Sequence, residues 1–130
     1  MLLRLSQIFV LLVTLTACSY FQPDIAPNKL IGQTLIATFE SGAFPDSTIT
    51  MQFVSSKDLV WRLSGNLGDV TGSSDYLISM VNPETILVTW RNEQSKVSYV
   101  VTMDFEEEQC FLVRIDRRKN LLSEGVIAFE

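Results

Sequence analysis

Residues 48–54 read TITMQFV, and this stretch decides how the chain folds. Up to Phe53, polar residues occupy the even-numbered positions and apolar residues the odd-numbered ones. Because successive side chains of a β-strand point to opposite faces, a period of two places every apolar side chain on one face. The stretch is therefore predicted to be a strand with one buried and one solvated face.

The same alternation recurs along the chain, in runs rich in Val, Ile, Thr and aromatic residues that are separated by clusters of Gly, Pro, Asn, Asp and Ser. Most gaps are too short for a crossover helix, so consecutive strands should be antiparallel neighbours. An eight-stranded up-and-down sheet can close into an all-β, lipocalin-like barrel that is filled by side chains or holds one small ligand. The predicted strands are Gln33–Glu40, Thr48–Val54, Asp58–Leu63, Ser74–Val81, Thr85–Arg91, Lys96–Asp104, Cys110–Asp116 and Val126–Phe129.

Three segments are less regular than these strands. The eighth strand is short, and residues 117–122 before it read as a loop or a short helix, which would leave the barrel gapped. Residues 65–72 form the longest predicted turn and have the freedom of a mouth loop or lid. Asn28–Gly32 could form one helical turn over an end of the barrel, capped by Asn28 and ended by Gly32.

The first 18 residues have the three parts of a secretory signal. Arg4 lies in an N-terminal region without acids, residues 8–15 are nearly all apolar, and small residues precede Cys18. As a helix, this apolar run would be about half the length that a bilayer core requires, so it does not predict a stable membrane span. An ordinary signal peptide with a cysteine near its end would share these features.

The string Leu15-Thr16-Ala17-Cys18 resembles the lipobox of bacterial lipoproteins. The resemblance implies that residues 1–17 are a cleaved signal peptide and that Cys18 carries lipid, including palmitate. Residues 18–28 would then be a tether and residues 29–130 the barrel domain. Ser19 after the cysteine implies the outer membrane, facing the periplasm, in a Gram-negative cell. The implied partner is the membrane, which is bound through the acyl groups on Cys18.

The composition excludes several functional classes. The 130-residue chain has no His and a formal net charge of −5. Ser-His-Asp catalysis, Cys-His catalysis and His-ligated metals are impossible without His, and an acidic chain lacks the basic surface that nucleic-acid binding requires. We predict no catalytic residue, cofactor or metal, and we interpret the acidic residues of 104–108 as a solvated hairpin turn. If Cys18 is lipidated, Cys110 has no disulfide partner and should be a buried thiol.

Four short strings lie in or beside the predicted strands: Gly32–Ile36, Leu59–Arg62, Asp75-Tyr76 and Val88–Trp90. Together they resemble the calycin-type barrels of the MoaF and phenolic acid decarboxylase group. In the decarboxylases, two tyrosines, an arginine and an acid remove the carboxyl group of hydroxycinnamates without a cofactor. The resemblance aligns the arginine with Arg62 and the acid with Asp75. The tyrosines align with Ala37 and Phe39, which have no hydroxyl, so the MoaF side of the group is the nearer comparison.

Six residues are the candidates for ligand binding: Arg62, Asp75, Tyr76, Trp90, Tyr99 and Arg114. Inward-pointing aromatic residues, with Trp61 among them, would line an apolar cavity with polar handles. An inward arginine could clamp a carboxylate or phosphate, and Asp75 could pair with Arg62. The alternatives are aromatic residues that simply fill the barrel and arginines that face solvent. Alternation sets Trp61 and Arg62 on opposite faces, so at most one of them can lie in a pocket.

Three functions fit these observations. The first is a non-catalytic, membrane-anchored barrel that binds a small, partly apolar molecule or an envelope protein. The second is a cofactor-free, decarboxylase-like lyase that acts on an unsaturated acid through Arg62 and Asp75. The third is a structural envelope lipoprotein with a filled barrel. The volume of the barrel interior and the direction of Arg62 distinguish them.

Overall fold

A computed structural model describes residues 26–130 of the chain. The lipobox, Cys18 and most of the tether therefore lie outside the described residues. The described chain contains a 3₁₀ helix, Pro27–Leu30, and eight strands: β1 (Thr34–Gly42), β2 (Ser47–Phe53), β3 (Asp58–Gly65), β4 (Val70–Asn82), β5 (Thr85–Asn92), β6 (Val97–Asp104), β7 (Gln109–Asp116) and β8 (Lys119–Phe129).

The eight strands form a closed barrel in the order of the sequence. Each strand pairs in antiparallel fashion with the next, and β8 returns to pair with β1 from Gly42↔Ser123 to Leu35↔Phe129. Pairing the first strand with the last removes the two outer edges that an open sheet would expose. The predicted all-β, up-and-down barrel is therefore confirmed.

Apolar side chains fill the barrel interior. In β2, Ile49, Met51 and Phe53 are fully buried, as the alternation predicted. Burial of such side chains stabilises the fold by about 25 cal/mol for each Å² removed from water. Further side chains with less than 2% exposure come from five other strands and the 3₁₀ helix: Leu30, Leu35, Phe39, Leu59, Leu63, Ile86, Val88, Met103 and Leu112. The interior is a packed core, which argues against a ligand held deep inside it.

The prediction of a loop or helix at residues 117–122 is wrong. β7 and β8 are joined by a tight turn, and their ladder begins at the pair Asp116↔Lys119. The sequence of β8 lacks a clear strand pattern because two of its inward positions are the small residues Ser123 and Gly125. Gly125 is required by a close strand contact, since a Cβ there would lie 2.7 Å from the Cα of Phe39. The barrel is continuous at this point.

The predicted mouth loop at residues 65–72 is also shorter than expected, because β4 begins at Val70 and leaves only residues 66–69 as a connection. Val70 pairs with Leu63, and Gly72 pairs with Trp61. The missing side chain of Gly72 leaves room for the Trp61 indole, whose ring atoms would lie 2.8 Å or less from a Cβ at this position. Thus a glycine that reads as a turn signal is a packing position within a strand.

Connections 43–46, 66–69, 93–96 and 117–118 share one end of the barrel, the upper end. Buried serines form hydrogen bonds with two of these connections, 43–46 and 66–69. The hydroxyl of Ser123 accepts a hydrogen bond from the N–H of Phe44 (2.9 Å), and the hydroxyl of Ser47 accepts one from the N–H of Leu67 (3.1 Å). The apolar side chains of Phe44 and Leu67 are buried, and they cover this end.

The 3₁₀ helix lies at the opposite, lower end, where Leu30 is 1% exposed. The predicted turn of helix is thus present at one end of the barrel, but it begins at Pro27 with Ala26 at the N-cap. It has no side-chain capping bond, so the predicted Asn28 cap is wrong. Gly32 follows in the left-handed region (φ 84°) and donates its N–H to the carbonyl of Phe53 (2.7 Å). Across residues 26–130, no helix has the length and apolar character needed to cross a bilayer.

Candidate functional site

β4 changes its pairing partner halfway along its length. Val70–Asp75 pair with β3, whereas Tyr76–Asn82 pair with β5. The β4–β5 ladder starts at Tyr76↔Trp90. Beyond that pair a side chain bridges the two strands, because the hydroxyl of Ser74 donates a hydrogen bond to the carbonyl of Arg91 (2.9 Å). The ladder ends here, and we call the groove in the barrel wall around this point the β4–β5 cleft.

The β4–β5 cleft has an apolar part and a polar part that share Asp75 and Arg91. The apolar part, of about 240 Å³, is lined by Asp75, Tyr76, Leu77, Thr89, Trp90, Arg91 and Ser98. The polar part, of about 310 Å³, is lined by Asp58, Ser73, Ser74, Asp75, Arg91 and Glu93. An open groove of apolar side chains with a few polar groups is a common form of recognition site.

Three aromatic residues pack together behind the cleft. Trp90 stacks on Tyr99 (ring centroids 5.4 Å apart), and the Trp61 ring is tilted against Tyr99 (6.2 Å). The indole N–H of Trp61 donates to the hydroxyl of Ser74 (3.0 Å). The indole N–H of Trp90 is buried, and it has no acceptor among the described residues. All three rings are at most 3% exposed, so they chiefly fill the barrel, as one of the two sequence interpretations proposed.

Tyr76 forms the inner wall of the cleft at its lower end. Its hydroxyl donates to the carbonyl of Ser55 (2.7 Å), and its ring packs edge-on against Phe53. Burial raises the pKa of Tyr76, and the nearby carboxylate of Asp58 raises it further. The hydroxyl is therefore a neutral group engaged in a structural hydrogen bond near pH 7.

Arg114 is the inward-facing arginine of the described chain. It is half-buried, and its guanidinium lies 5.4 Å from the ring centroid of Phe44, in the geometry of a cation–π contact. Its Nε–H is buried without an acceptor among residues 26–130, and neither ion pair found there involves it. Burial raises the pKa of Tyr99, while Arg114 lowers it and Asp116 raises it. Arg114 thus contributes positive charge to an otherwise apolar interior.

Arg62 and Asp75 lie on the outer face of the barrel and are exposed. Arg62 pairs with Asp69 (3.7 Å), and both side chains are largely solvated. Asp75 is opposite Asp58 in the β3–β4 ladder, four positions along β3 from Arg62. At about 3.3 Å per residue this offset separates the two by roughly 13 Å along the strand. The predicted pairing of Arg62 with Asp75 is therefore wrong.

The opposite orientations of Trp61 and Arg62 agree with their alternation: Trp61 is 2% exposed, and Arg62 faces solvent. The positions aligned with the decarboxylase tyrosines, Ala37 and Phe39, are fully buried. Neither carries the hydroxyl that would bind a substrate carboxylate. The geometry needed for the lyase hypothesis is thus not assembled from these residues.

Several cleft residues escaped the sequence interpretation: Asp58, Ser73, Ser74, Arg91, Glu93 and Ser98. The signal that could have found Ser74 is the alternation of residues 70–76, in which Gly72, Ser74 and Tyr76 share the inward face. The sequence predicts a turn at residues 65–72 and a strand that begins only at Ser74, so the prediction does not follow this alternation through the whole stretch. The remaining cleft residues are brought together only by the barrel register.

The acidic residues of 104–108 form a hairpin turn, as predicted. The carboxylate of Asp104 accepts hydrogen bonds from the backbone N–H groups of Glu106 (3.0 Å) and Glu107 (3.1 Å). Among the described residues, no group of three or more carboxylates and thiols is placed to hold a metal ion. Cys110 is fully buried, as predicted, and burial raises the pKa of its thiol to about 12.

Comparison with known proteins agrees with the architecture. No curated protein matches the sequence. Among solved structures, the chain is similar to a crystal structure from Burkholderia vietnamiensis described as a "putative beta-lactamase". The TM-score is 0.66 at 14% identity, and the match covers 81% of this chain and 97% of the other. At this identity the likeness concerns the fold alone. The family model of the MoaF N-terminal domain matches residues 22–115, and the chain belongs to this family.

Proposed function

We propose that this protein is a bacterial envelope lipoprotein, anchored by lipid on Cys18 to the outer membrane and facing the periplasm. The support is the signal-like segment that ends in Leu15-Thr16-Ala17-Cys18. Labelled palmitate should enter the wild-type chain and the Cys110→Ala variant, but not the Cys18→Ala variant. Equal labelling of all three chains would overturn the anchoring proposal. Fractionation of the labelled cells into inner and outer membranes tests the location.

We infer further that the barrel acts by recognition rather than catalysis, and that the β4–β5 cleft is the recognition site. The single observation that carries this inference is the open cleft in the wall of a barrel whose interior is filled. Core side chains occupy the interior, whereas the cleft is open to a partner without displacement of the core. Of the two partners considered from the sequence, an open groove with charged rims favours an envelope protein over an enclosed small molecule.

Two exposed leucines offer a matched test of the site. Leu77 lines the cleft and is 74% exposed, while Leu122 is 57% exposed on β8, on another side of the barrel. A photo-crosslinking amino acid should capture a defined envelope protein from position 77 in living cells, and should not capture it from position 122. Equal capture from both positions, or none from position 77, would favour the third hypothesis, a purely structural lipoprotein.

A small, partly apolar anion is a second candidate ligand, at the upper end of the barrel. The observation that favours it is a pair of buried N–H donors without acceptors, Nε of Arg114 and Nε1 of Trp90. Buried donors are normally satisfied, and a carboxylate could accept from such groups once Phe44 moved aside. Cinnamate should then quench tryptophan fluorescence more strongly than its neutral amide, and Arg114→Gln should abolish the difference. Arg62→Gln is the matched control because it removes an exposed arginine.

A further inference from the structure

The first half of β4 has one backbone edge turned toward the cleft. The N–H of Tyr76 donates to the carbonyl of Lys57 (3.0 Å), so Tyr76 directs its backbone groups toward β3. Backbone groups of alternate residues in an antiparallel strand point to opposite sides. Gly72 and Ser74 therefore also face β3, whereas Thr71 and Ser73 direct their N–H and carbonyl groups toward the cleft.

Within residues 26–130, the backbone groups of Thr71 and Ser73 that face the cleft have no strand to pair with. The β4–β5 ladder does not extend above Tyr76↔Trp90, and the contact made there is the Ser74 side-chain bond to Arg91. Thr71 and Ser73 instead line a groove of about 150 Å³ beside the β5–β6 turn, together with Trp61, Gly72, Ser74, Asn92, Glu93 and Gln94. This open edge is a template for one additional strand.

The charges around this edge carry a small negative excess. Asp58, Asp75 and Glu93 line the polar part of the cleft with Arg91. Glu93 is paired with Lys96 (3.0 Å), so the acids of the cleft without an ion-pair partner among residues 26–130 are Asp58 and Asp75. Arg62 lies on the outer face and is engaged with Asp69. Partners whose potentials are complementary associate faster and more specifically than those with like charges. An incoming strand should therefore carry lysine or arginine.

We propose that the edge formed by Thr71 and Ser73 binds an extended, cationic peptide segment of an envelope protein as an added β-strand. This inference rests on the proposed function of the β4–β5 cleft as a recognition site. A second copy of this chain is a poorer occupant, because pairing two such edges would bring two acidic rims together. The chain's own residues 18–26 are also poorer, because they contain Asp24 and no lysine or arginine.

The test uses the full chain purified in detergent micelles and a probe peptide, acetyl-Thr-Lys-Val-Lys-Thr-Lys-Val-amide. The probe should bind, and it should slow hydrogen exchange at the amides of Thr71 and Ser73. The same peptide with Glu in place of Lys should bind at least about tenfold more weakly, as should a version with methylated backbone nitrogens, because each loses about 1.4 kcal/mol or more of interaction. Equal binding of all three peptides would overturn the proposal.

Two substitutions at one position separate the backbone from the side chain. Ser73→Pro removes an N–H that faces the cleft and no bond to β3, so the barrel should fold while the probe binds about tenfold more weakly. Ser73→Ala keeps the N–H and should bind like wild type. If Ser73→Pro unfolds the barrel, hydrogen exchange at the amides of Thr71 and Ser73 in the wild-type chain, measured with and without the probe, still tests the proposal. Amides already protected in the free chain, or unaffected by the probe, would contradict the proposal.

The role of charge is tested with Asp75→Asn combined with Glu93→Gln. The double variant should bind the probe more weakly, and this binding should depend less on salt concentration. Glu124→Gln, on β8, is the control and should change neither. Failure of the added-strand proposal can be distinguished from failure of the β4–β5 cleft as a recognition site. Crosslinking from position 77 without probe binding would keep the cleft and reject the added strand. A dimer of the free chain, held through the Thr71 and Ser73 amides, would also reject it.

Discussion

Replacing Gly72 with alanine should disturb the aromatic cluster behind the β4–β5 cleft. A Cβ at this position would overlap the Trp61 indole and lie 2.8 Å from both Cε2 and Cη2. The ring is 2% exposed and cannot turn away freely, because it packs beside Tyr99 and donates a hydrogen bond to Ser74. The substitution therefore forces a displacement of the ring within a packed interior.

The expected loss of stability can be worked from these contacts. Overpacking of a core costs about 1–3 kcal/mol, and loss of the bond from Trp61 to Ser74 costs about 0.5–1.5 kcal/mol. Alanine restricts the unfolded chain more than glycine does, and this lower entropy of the unfolded state offsets about 0.4–1 kcal/mol of the destabilisation. The net destabilisation for Gly72→Ala should be about 2 kcal/mol. Urea unfolding followed by circular dichroism measures it directly.

A double-mutant cycle identifies the cause. If the cost arises from the overlap with the indole, Gly72→Ala should cost little in a Trp61→Leu background. Trp90 remains in that background and reports any change in the cluster by fluorescence. A cost of about 2 kcal/mol in both backgrounds would refute the reasoning, because the glycine would then be needed for its backbone rather than for Trp61.

Three further predictions concern the strands and the core. Ser74→Pro should destabilise the barrel in thermal unfolding by several degrees more than Ser73→Pro, because the N–H of Ser74 faces β3; equal midpoints would contradict the assigned edge. Gly125→Ala should cost more than Gly72→Ala in urea, because its Cβ would overlap the backbone carbonyl of Thr38 rather than a side chain; a smaller cost would contradict this order. Burial raises the thiol pKa of Cys110 from an ordinary 9.0 to about 12, so the unfolded chain loses this proton first and stability should fall as pH rises through 9. At pH 10 the loss relative to pH 7 should exceed that of Cys110→Ala by about 1.4 kcal/mol in urea unfolding, and identical pH profiles would show that the thiol contributes nothing.

The alternation of single strands is sufficient to predict much of this fold. In β2, the period of two sets the three buried positions correctly because each side chain's face depends only on its own place in the strand. The same rule separates Trp61 from Arg62. Short gaps between strands then leave antiparallel neighbours as the simplest arrangement, and eight such strands can close into a barrel.

The two errors in strand bounds have a common physical cause. Residues 70–72 and 117–122 do not show the regular alternation of a half-buried strand, and their glycine and basic residues favour turns when taken alone. In the barrel, Gly72 makes room for Trp61, and Lys119 to Leu122 complete ladders that β7 has already begun. Pairing partners far away in sequence thus override the local preference, and one sequence window does not contain that information.

The candidate site depends on strand length and register more than on residue type. β4 has 13 residues and β5 has 8, so the ladder between them cannot cover all of β4. Closing a barrel removes the edges of its first and last strands, but a mismatch in length restores an edge inside the wall. That edge falls beside Trp90 and Asp75, two residues that the sequence had marked as candidates for a pocket inside the barrel. Their chemistry could be anticipated from the sequence, whereas their place in an open groove follows from where the β4–β5 ladder stops. The open edge therefore directs the search for a partner to extended peptides rather than to enclosed ligands.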